Sequence, residues 1–395
     1  MRIGILTYHR SLNNGAFIQC YSLFKRLKNE FPEAEVEVID YTSPKIERLY
    51  PLTIAQYFRG YTTPKVFLSR LKRYLKDTDV LKRNKQKKEA FESCLSQLKL
   101  SDRMFYHESL QEIYDYIDKT YDLVVVGSDA VWNYTLRGFP NPYFLNSGLK
   151  VKKVSYAASC FGLNYENITE NEQRAIKDSL DSFSFLGVRD DETAKFLSKV
   201  KCSVAPLHTC DPTVFLDVND LPIDKKAFHE KLKSAGFSFE RDTIGIMGTN
   251  EMCTLIRSMY GDKYQLVSLF NYCKDADVNL YHITPFEWAY VFRLFRLTMT
   301  TYFHGTLLSL RNGVPVICIA LEEAYTSNHE SKVEDFLRRV EYSDCYYHLS
   351  YIKDNIQIVR SQIDSLISSD SKKVILERMD KEAKTSNIFL DQIKR

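Results

Sequence analysis

Arg2-Ile-Gly-Ile-Leu-Thr-Tyr8, then Asn13-Asn14-Gly15, then Ala16 to Asn29, then Val36-Glu-Val-Ile-Asp40: this opening decides the fold. The first run is short and apolar, as a buried strand is. Asn13-Asn14-Gly15 is a turn. Beyond it Phe17, Cys20, Leu23, Phe24 and Leu27 recur at helical spacing. The run from Val36 to Asp40 is a second strand. Strand, turn, helix and strand begin a doubly wound parallel sheet.

The same rhythm continues outward. Tyr121 to Val126 reads as a buried strand ending in Gly127-Ser128-Asp129. Lys153 to Ala158 ends in Ser159-Cys160-Phe161-Gly162, and Phe183 to Val188 ends in Arg189-Asp190-Asp191. Polar residues thus collect at carboxyl ends of strands, where open α/β sheets bind ligands. After Asp211-Pro212-Thr213 and a polar stretch, 218–242, the pattern restarts. Strands are expected at Thr243–Met247, Gln265–Phe270, Asn279–His282, Leu297–Thr301 and Val314–Ala320. Helices are expected at 252–259, 285–295 and 305–312. The fold class is therefore α/β, with two Rossmann-like doubly wound domains facing a cleft, the glycosyltransferase-B (GT-B) architecture. The first domain covers 1–215 and the second 240–370, with a hinge near 205–240. A charged C-terminal helix, 371–395, follows, and its packing back on the first domain is left open.

Composition narrows the function. Of 395 residues, 44% are apolar and 27% charged, which excludes a disordered chain. Lys and Arg number 54 against 51 acids, a net charge of +3, too balanced to imply a nucleic-acid partner. The apolar start meets Tyr8, His9 and Arg10 too soon for a signal-peptide core. No run reaches the ~20 apolar residues of a membrane span. Nine Cys without paired spacing fit a reducing compartment. Cytoplasmic placement follows as an expectation. No His/Cys spacing suits a metal, so none is expected. Residues 54–103 form a basic helical insertion, with 13 Lys and Arg between Arg59 and Arg103 against five acids. Leu68, Leu71, Tyr74 and Leu75 give it an apolar stripe. It reads either as a solvated helical surface or as a surface that rests on anionic lipid headgroups at the inner face of the plasma membrane.

Three positions suit an anionic ligand. Thr301-Tyr302-Phe303-His304-Gly305-Thr306 joins a strand to a helix, placing His304 at a helix N-terminus beside the flexible Gly305. Ser331-Lys332-Val333-Glu334 reads as a capping box with Lys332 at the first helical position, where a cation makes most sense if an anion sits there too. Arg189 follows a buried strand and offers a fork for a carboxylate or phosphate, or pairs with Asp190 and Asp191.

Eight stretches, in order, resemble the polysaccharide pyruvyltransferases. They are Asn14-Gly15-Ala-Phe-Ile-Gln19, Val126-Gly-Ser-Asp-Ala-Val-Trp132-Asn133 and Ser155-Tyr-Ala-Ala-Ser159-Cys-Phe-Gly162. Gly187-Val-Arg189-Asp-Asp, Asp211-Pro-Thr213 and Thr284-Pro285-Phe-Glu-Trp288 follow. Phe303-His304-Gly305 and Ser331-Lys332-Val-Glu-Asp-Phe-Leu337 complete the set. The family often has Gln where Ala130 stands and Ser where Tyr302 stands. The resemblance implies transfer of the enolpyruvyl carbons of phosphoenolpyruvate to two hydroxyls of one sugar, giving a cyclic ketal and phosphate. It implies no cofactor. It places Arg189 and Lys332 at the phosphoenolpyruvate, with Ser331 and Gly305 as candidates beside them, and His304, a histidine whose free pKa of about 6.5 suits a proton donor to the methylene carbon, is the candidate acid. Asn14, Gly15, Gln19, Ser128, Asp129, Trp132 and Ser159 become candidates for the acceptor side of the cleft, with Asp129 a candidate base. The implied acceptor is a saccharide of a surface or capsular polymer, with a polyprenyl-diphosphate-linked form left open. The alternative is a GT-B glycosyltransferase using a nucleotide sugar. Glu322 and Glu330 make the E-x7-E spacing of retaining members, a pattern chance also supplies in this sequence.

Overall fold

The computed structural model describes residues 1–42, 51–59, 63–76, 78–106, 110–135, 138–321 and 331–394, so Glu322 and Glu330 lie outside the described residues. In the first half the strands are β1 (Arg2–Leu6), β2 (Glu35–Val38), β3 (Tyr41–Thr42), β4 (Phe105–Tyr106), β5 (Leu123–Val126), β6 (Lys152–Ala158), β7 (Phe185–Val188) and β8 (Pro206–His208). The second half adds β9 (Thr243–Met247), β10 (Gln265–Leu269), β11 (Val278–Leu280), β12 (Leu297–Thr300), β13 (Val316–Ala320) and β14 (Tyr346–His348). Two six-stranded sheets result, ordered β2-β1-β5-β6-β7-β8 and β11-β10-β9-β12-β13-β14. Their pairings are parallel among the described residues. Helices cover both faces of such sheets, so central strands are buried on both sides and largely apolar. Leu123–Val126 and Thr243–Met247 are buried along their whole length.

Each sheet reverses its winding beside its first strand, between β1 and β5 and between β9 and β12. The loops leaving those strands open the crevice where doubly wound sheets hold ligands. The two crevices face each other, as a GT-B fold requires. Across them Arg338 and Arg339 of the helix Lys332–Arg339 reach Asp191 at 2.9 and 2.8 Å.

Several details differ from the expectation. The edge strands β8 and β14 are three residues long and partly exposed, so no apolar run announces them. The polar stretch 218–242 contains a helix, Lys225–Ser234, capped by Asp224 and burying only Phe228 and Leu232. The tail is two helices, Lys372–Ala383 and Asn387–Lys394, separated by a tight turn at Lys384–Ser386. Ile375 and Met379 of the first join the core of the second domain. The second returns to the first domain, where Phe389 meets Tyr156 and Phe185 at ring separations of 4.6 and 6.0 Å.

The basic insertion forms helices Ile54–Phe58, Pro64–Lys76 and Val80–Glu92. The last bridges the domains: Lys87 Nζ sits 3.4 Å from the centre of the Phe270 ring. Among the described residues no helix is long and apolar enough to cross a membrane.

Candidate active site

Four loop ends converge at the mouth of the cleft. After β1, Asn13 caps the helix Asn14–Glu30 by accepting from the N–H groups of Gly15 and Ala16 at 3.0 and 3.3 Å. After β5, Asp129 holds a left-handed backbone, φ 80°, and its Oδ1 accepts from the N–H of Ala130. That conformation is uncommon for a residue with a Cβ, and such positions cluster at functional sites. After β7 comes Arg189. After β12, Tyr302 N–H donates to Thr300 Oγ1 at 2.9 Å, closing the turn that starts the helix Phe303–Arg311. His304 is its second residue.

Gly15 and His304 meet across the domain boundary. A Cβ added to Gly15 would lie 2.3 Å from His304 Nδ1 and 2.5 Å from Cγ. Only glycine lets the imidazole lie against this helix turn. Gly15→Ala is therefore expected to displace the imidazole and lower kcat at least about tenfold, while overpacking costs about 1–3 kcal/mol. Steady-state turnover with a thermal melt checks this, and unchanged turnover would count against it.

Asp211 binds the cluster together. Arg189 Nη1 donates to Asp211 Oδ2 at 3.0 Å, and His304 Nε2 lies 3.6 Å from the same oxygen, a charge contact too long for a hydrogen bond. Asp129 and Asp190 flank the guanidinium at 3.8 and 3.9 Å. Phe303 lies under it, 4.8 Å from the ring centre. Lys332 Nζ sits over Phe161 and Phe303 at 4.8 and 5.5 Å, so two cations share one aromatic floor. Burial alone would raise the Asp211 carboxyl. His304 and Arg189 outweigh it and hold Asp211 well below the usual carboxylate range. Burial likewise opposes ionisation of Asp129, and Arg189, His304 and Lys332 reverse its effect, so its carboxyl is also lowered. Burial, and then the charge of Arg189, push the Lys332 ammonium down.

Arg189, Lys332 and Arg339 line a narrow recess over Phe303, together with the carboxylates of Asp190, Asp211, Asp335 and Glu382. Four buried nitrogens on residues lining this recess have no hydrogen-bond partner, Arg189 Nε and Nη2, Arg339 Nε and His208 Nδ1, and neither does His304 Nε2 beside Asp211. The Arg189 nitrogens and His304 Nε2 instead lie 3.6–3.9 Å from Asp129, Asp190 and Asp211, within charge contact but beyond hydrogen-bond reach.

The other expected site residues are placed differently. Ser331 caps the helix Lys332–Arg339, but accepts from the N–H of Val333 at 3.2 Å rather than from that of Glu334. Gly305 packs beneath the site, where a Cβ would lie 2.5 Å from Thr300 Oγ1 and 2.8 Å from Met247 Sδ. Asn14 is buried in the first helical turn. Gln19, Ser128, Trp132 and Ser159, expected on the acceptor side, have no exposed surface. Gln19 bonds Ser128 and Thr7, and Trp132 Nε1 donates to Tyr143 O at 3.3 Å. Ser159 Oγ donates to Asp190 Oδ2 at 2.6 Å. Their polar groups brace the loops and offer no face to an acceptor. Sequence reasoning missed Asp211 as the hub, although Asp211-Pro-Thr213 was a visible signal. It also missed Phe303 as the floor and Arg339, which no motif singled out.

A profile of the polysaccharide pyruvyl transferase family matches residues 13–323, most of the chain. No curated protein matches. Among solved structures, a Listeria monocytogenes protein described as a UDP-N-acetylglucosamine 2-epimerase is similar with TM-score 0.55 and 11% identity, covering 100% of this chain and 95% of its own. The UDP-GlcNAc 2-epimerase of Neisseria meningitidis, bound to UDP-GlcNAc, gives 0.53 and 11%, covering 100% and 99%. That of Methanocaldococcus jannaschii gives 0.54 and 11%, covering 98% and 99%. At that identity the likeness speaks to the fold, which is GT-B-like.

Proposed function

The chain belongs to the polysaccharide pyruvyl transferase family and is a transferase, and on that footing we propose that it moves the enolpyruvyl group of phosphoenolpyruvate onto two hydroxyls of one sugar. The single observation that carries the donor assignment is the gathering of Arg189, Lys332 and Arg339 at one recess beside His304, with unpartnered nitrogens on Arg189, Arg339 and His304. Phosphoenolpyruvate brings about three negative charges, a carboxylate and a phosphate, to accept from them.

The chemistry follows from the positions. His304 delivers a proton to the methylene carbon, and the C2 centre becomes oxocarbenium-like. A sugar hydroxyl attacks C2 and gives up its proton, with Asp129 as candidate base. The second hydroxyl then displaces phosphate from C2 and closes the ketal. One hydroxyl proton replaces the one His304 gave, and the other leaves with phosphate. Asp211 keeps the imidazole and Arg189 in register.

The test is direct. Phosphate release from phosphoenolpyruvate with an acceptor sugar is expected, and nucleotide release from UDP- or GDP-sugars is not. Lys332→Ala should raise KM for phosphoenolpyruvate about 10–100-fold, the loss of a charge-assisted contact worth ~1.5–3 kcal/mol. An unchanged KM would remove Lys332 from the donor site.

The acceptor is proposed to be a saccharide of a surface polymer carried on a polyprenyl diphosphate, met at an anionic membrane. The helix Pro64–Lys76 supports this, since it leaves Leu68 55% and Leu75 66% exposed beside Lys65 and Lys72. Flotation with vesicles containing phosphatidylserine should recover the protein at low salt and lose it at high salt. Leu68→Glu with Leu75→Glu should abolish recovery, and no flotation at low salt would end the proposal.

A further inference from the structure

We propose that Asp191 is a positioning residue for donor binding. By gripping Arg338 and Arg339 it anchors the helix Lys332–Arg339 against the first domain and fixes the separation of Arg189 from Lys332 across the recess. This rests on the donor reading above and adds the device that assembles the donor site.

The recess has one wall on each lobe. Arg189 belongs to the first domain. Lys332 and Arg339 belong to a helix whose Val333, Phe336 and Leu337 pack in the core of the second. An anion that bridges these cations needs the walls held apart by a set distance, because hydrogen bonds weaken beyond about 3.2 Å.

Asp191 is placed to hold them. Its Oδ2 accepts from Arg338 Nη2 at 2.9 Å and its Oδ1 from Arg339 Nη2 at 2.8 Å. From within the helix, Asp335 accepts from the same two nitrogens, at 2.6 Å from Arg338 and 3.1 Å from Arg339. Asp335 is buried, so its carboxylate aims both guanidiniums at the first domain. Burial alone would raise the Asp191 carboxyl, but Arg339 and Arg338 hold it below the usual carboxylate range, so the grip is charged at neutral pH.

The chain itself ties this grip to the donor cation, since Arg189, Asp190 and Asp191 are consecutive. The Arg189 N–H donates to Ala158 O at 3.1 Å. Asp190 accepts from Ser159 Oγ at 2.6 Å and from the Thr193 N–H at 2.9 Å. Asp191 then opens the helix Asp191–Val200. With the backbone fixed on both sides, Asp191 cannot shift without carrying Arg189 along. Half-exposed ion pairs are weak one by one, and Asp191 and Arg338 are 47% and 51% exposed. Here two of them act on one short helix that carries two of the donor-site cations.

Electrostatics alone makes the opposite prediction. Asp191 is an anion beside an anion site, so its field opposes phosphoenolpyruvate and its neutralisation should tighten binding. Anchoring requires that neutralisation loosen it.

The experiment uses the full chain. Asp191→Asn removes the charge and keeps the shape. Calorimetry is expected to show phosphoenolpyruvate bound about 3–10-fold more weakly, with a melting temperature close to that of wild type. Asp191→Glu keeps a carboxylate and should bind within about twofold of wild type. Arg338 does not border the recess, yet Arg338→Gln should also weaken the donor, and the double variant no further than Asp191→Asn alone. Without ligand, amide hydrogen exchange in Asp191→Asn should quicken across 332–339 and stay unchanged in Leu123–Val126. Equal or tighter binding of phosphoenolpyruvate by Asp191→Asn overturns the proposal, as does unchanged exchange across 332–339. Faster exchange there, with no binding of phosphoenolpyruvate to wild type, would sink the donor reading and leave the anchor standing.

Discussion

His304→Ala is expected to fold and to lose transfer. The imidazole is held by contacts that survive its removal: Gly15 behind it, and Asp211, which keeps its bond from Arg189. Deleting the ring removes the proposed proton donor and little packing. Loss of a positioned general acid typically lowers kcat by about 10²–10⁴-fold. His304→Gln, which retains a polar side chain but cannot cycle a proton near neutral pH, should fall as far. If it does, the proton and not the shape of the side chain is what turnover needs. Melting temperatures close to wild type for both variants, with binding of phosphoenolpyruvate retained, complete the expectation. A purified, folded His304→Ala enzyme with full activity would refute the role.

Arg189→Ala should fail in a different way, by losing stability as well as donor binding. Its side chain is 3% exposed and faces Asp211, Asp129 and Asp190. Removing one partner from a buried ion cluster costs about 3–5 kcal/mol, because the remaining charges stay buried without compensation. In the wild type the carboxyls of Asp211 and Asp129 are depressed on folding. Groups of that kind contribute stability above their unfolded value, near 3.9, and lose it as pH falls through the folded one. The deficit of Arg189→Ala relative to wild type is therefore full at neutral pH and shrinks below about pH 4. Thermal melts of both proteins across that range test this, and a deficit independent of pH would remove the ion cluster as its cause. Calorimetry with phosphoenolpyruvate should find no binding at neutral pH.

The central strands were legible because a parallel sheet buried on both faces leaves uninterrupted apolar runs such as Leu123–Val126. Their polar carboxyl ends marked where Arg189, Asp129 and His304 would gather. Edges were not legible: β8 and β14 are too short and too exposed to carry a pattern. The helix Lys225–Ser234 stayed hidden because only two of its residues are buried apolar ones. Within the site, residue type alone could not separate a side chain that faces the cleft from one that braces it. Gln19 and Ser128 spend their hydrogen bonds on each other, which only the packed loops reveal. Arg339 was missed because its relevance comes from the approach of two domains and from no local spacing.

The contact of Gly15 with His304 has a kinetic consequence. His304, the proposed proton donor, belongs to one lobe and the glycine behind it to the other, so the proposed reactive geometry needs both lobes together. On that reading, turnover that depends on the lobes parting to release product should slow as solvent viscosity rises.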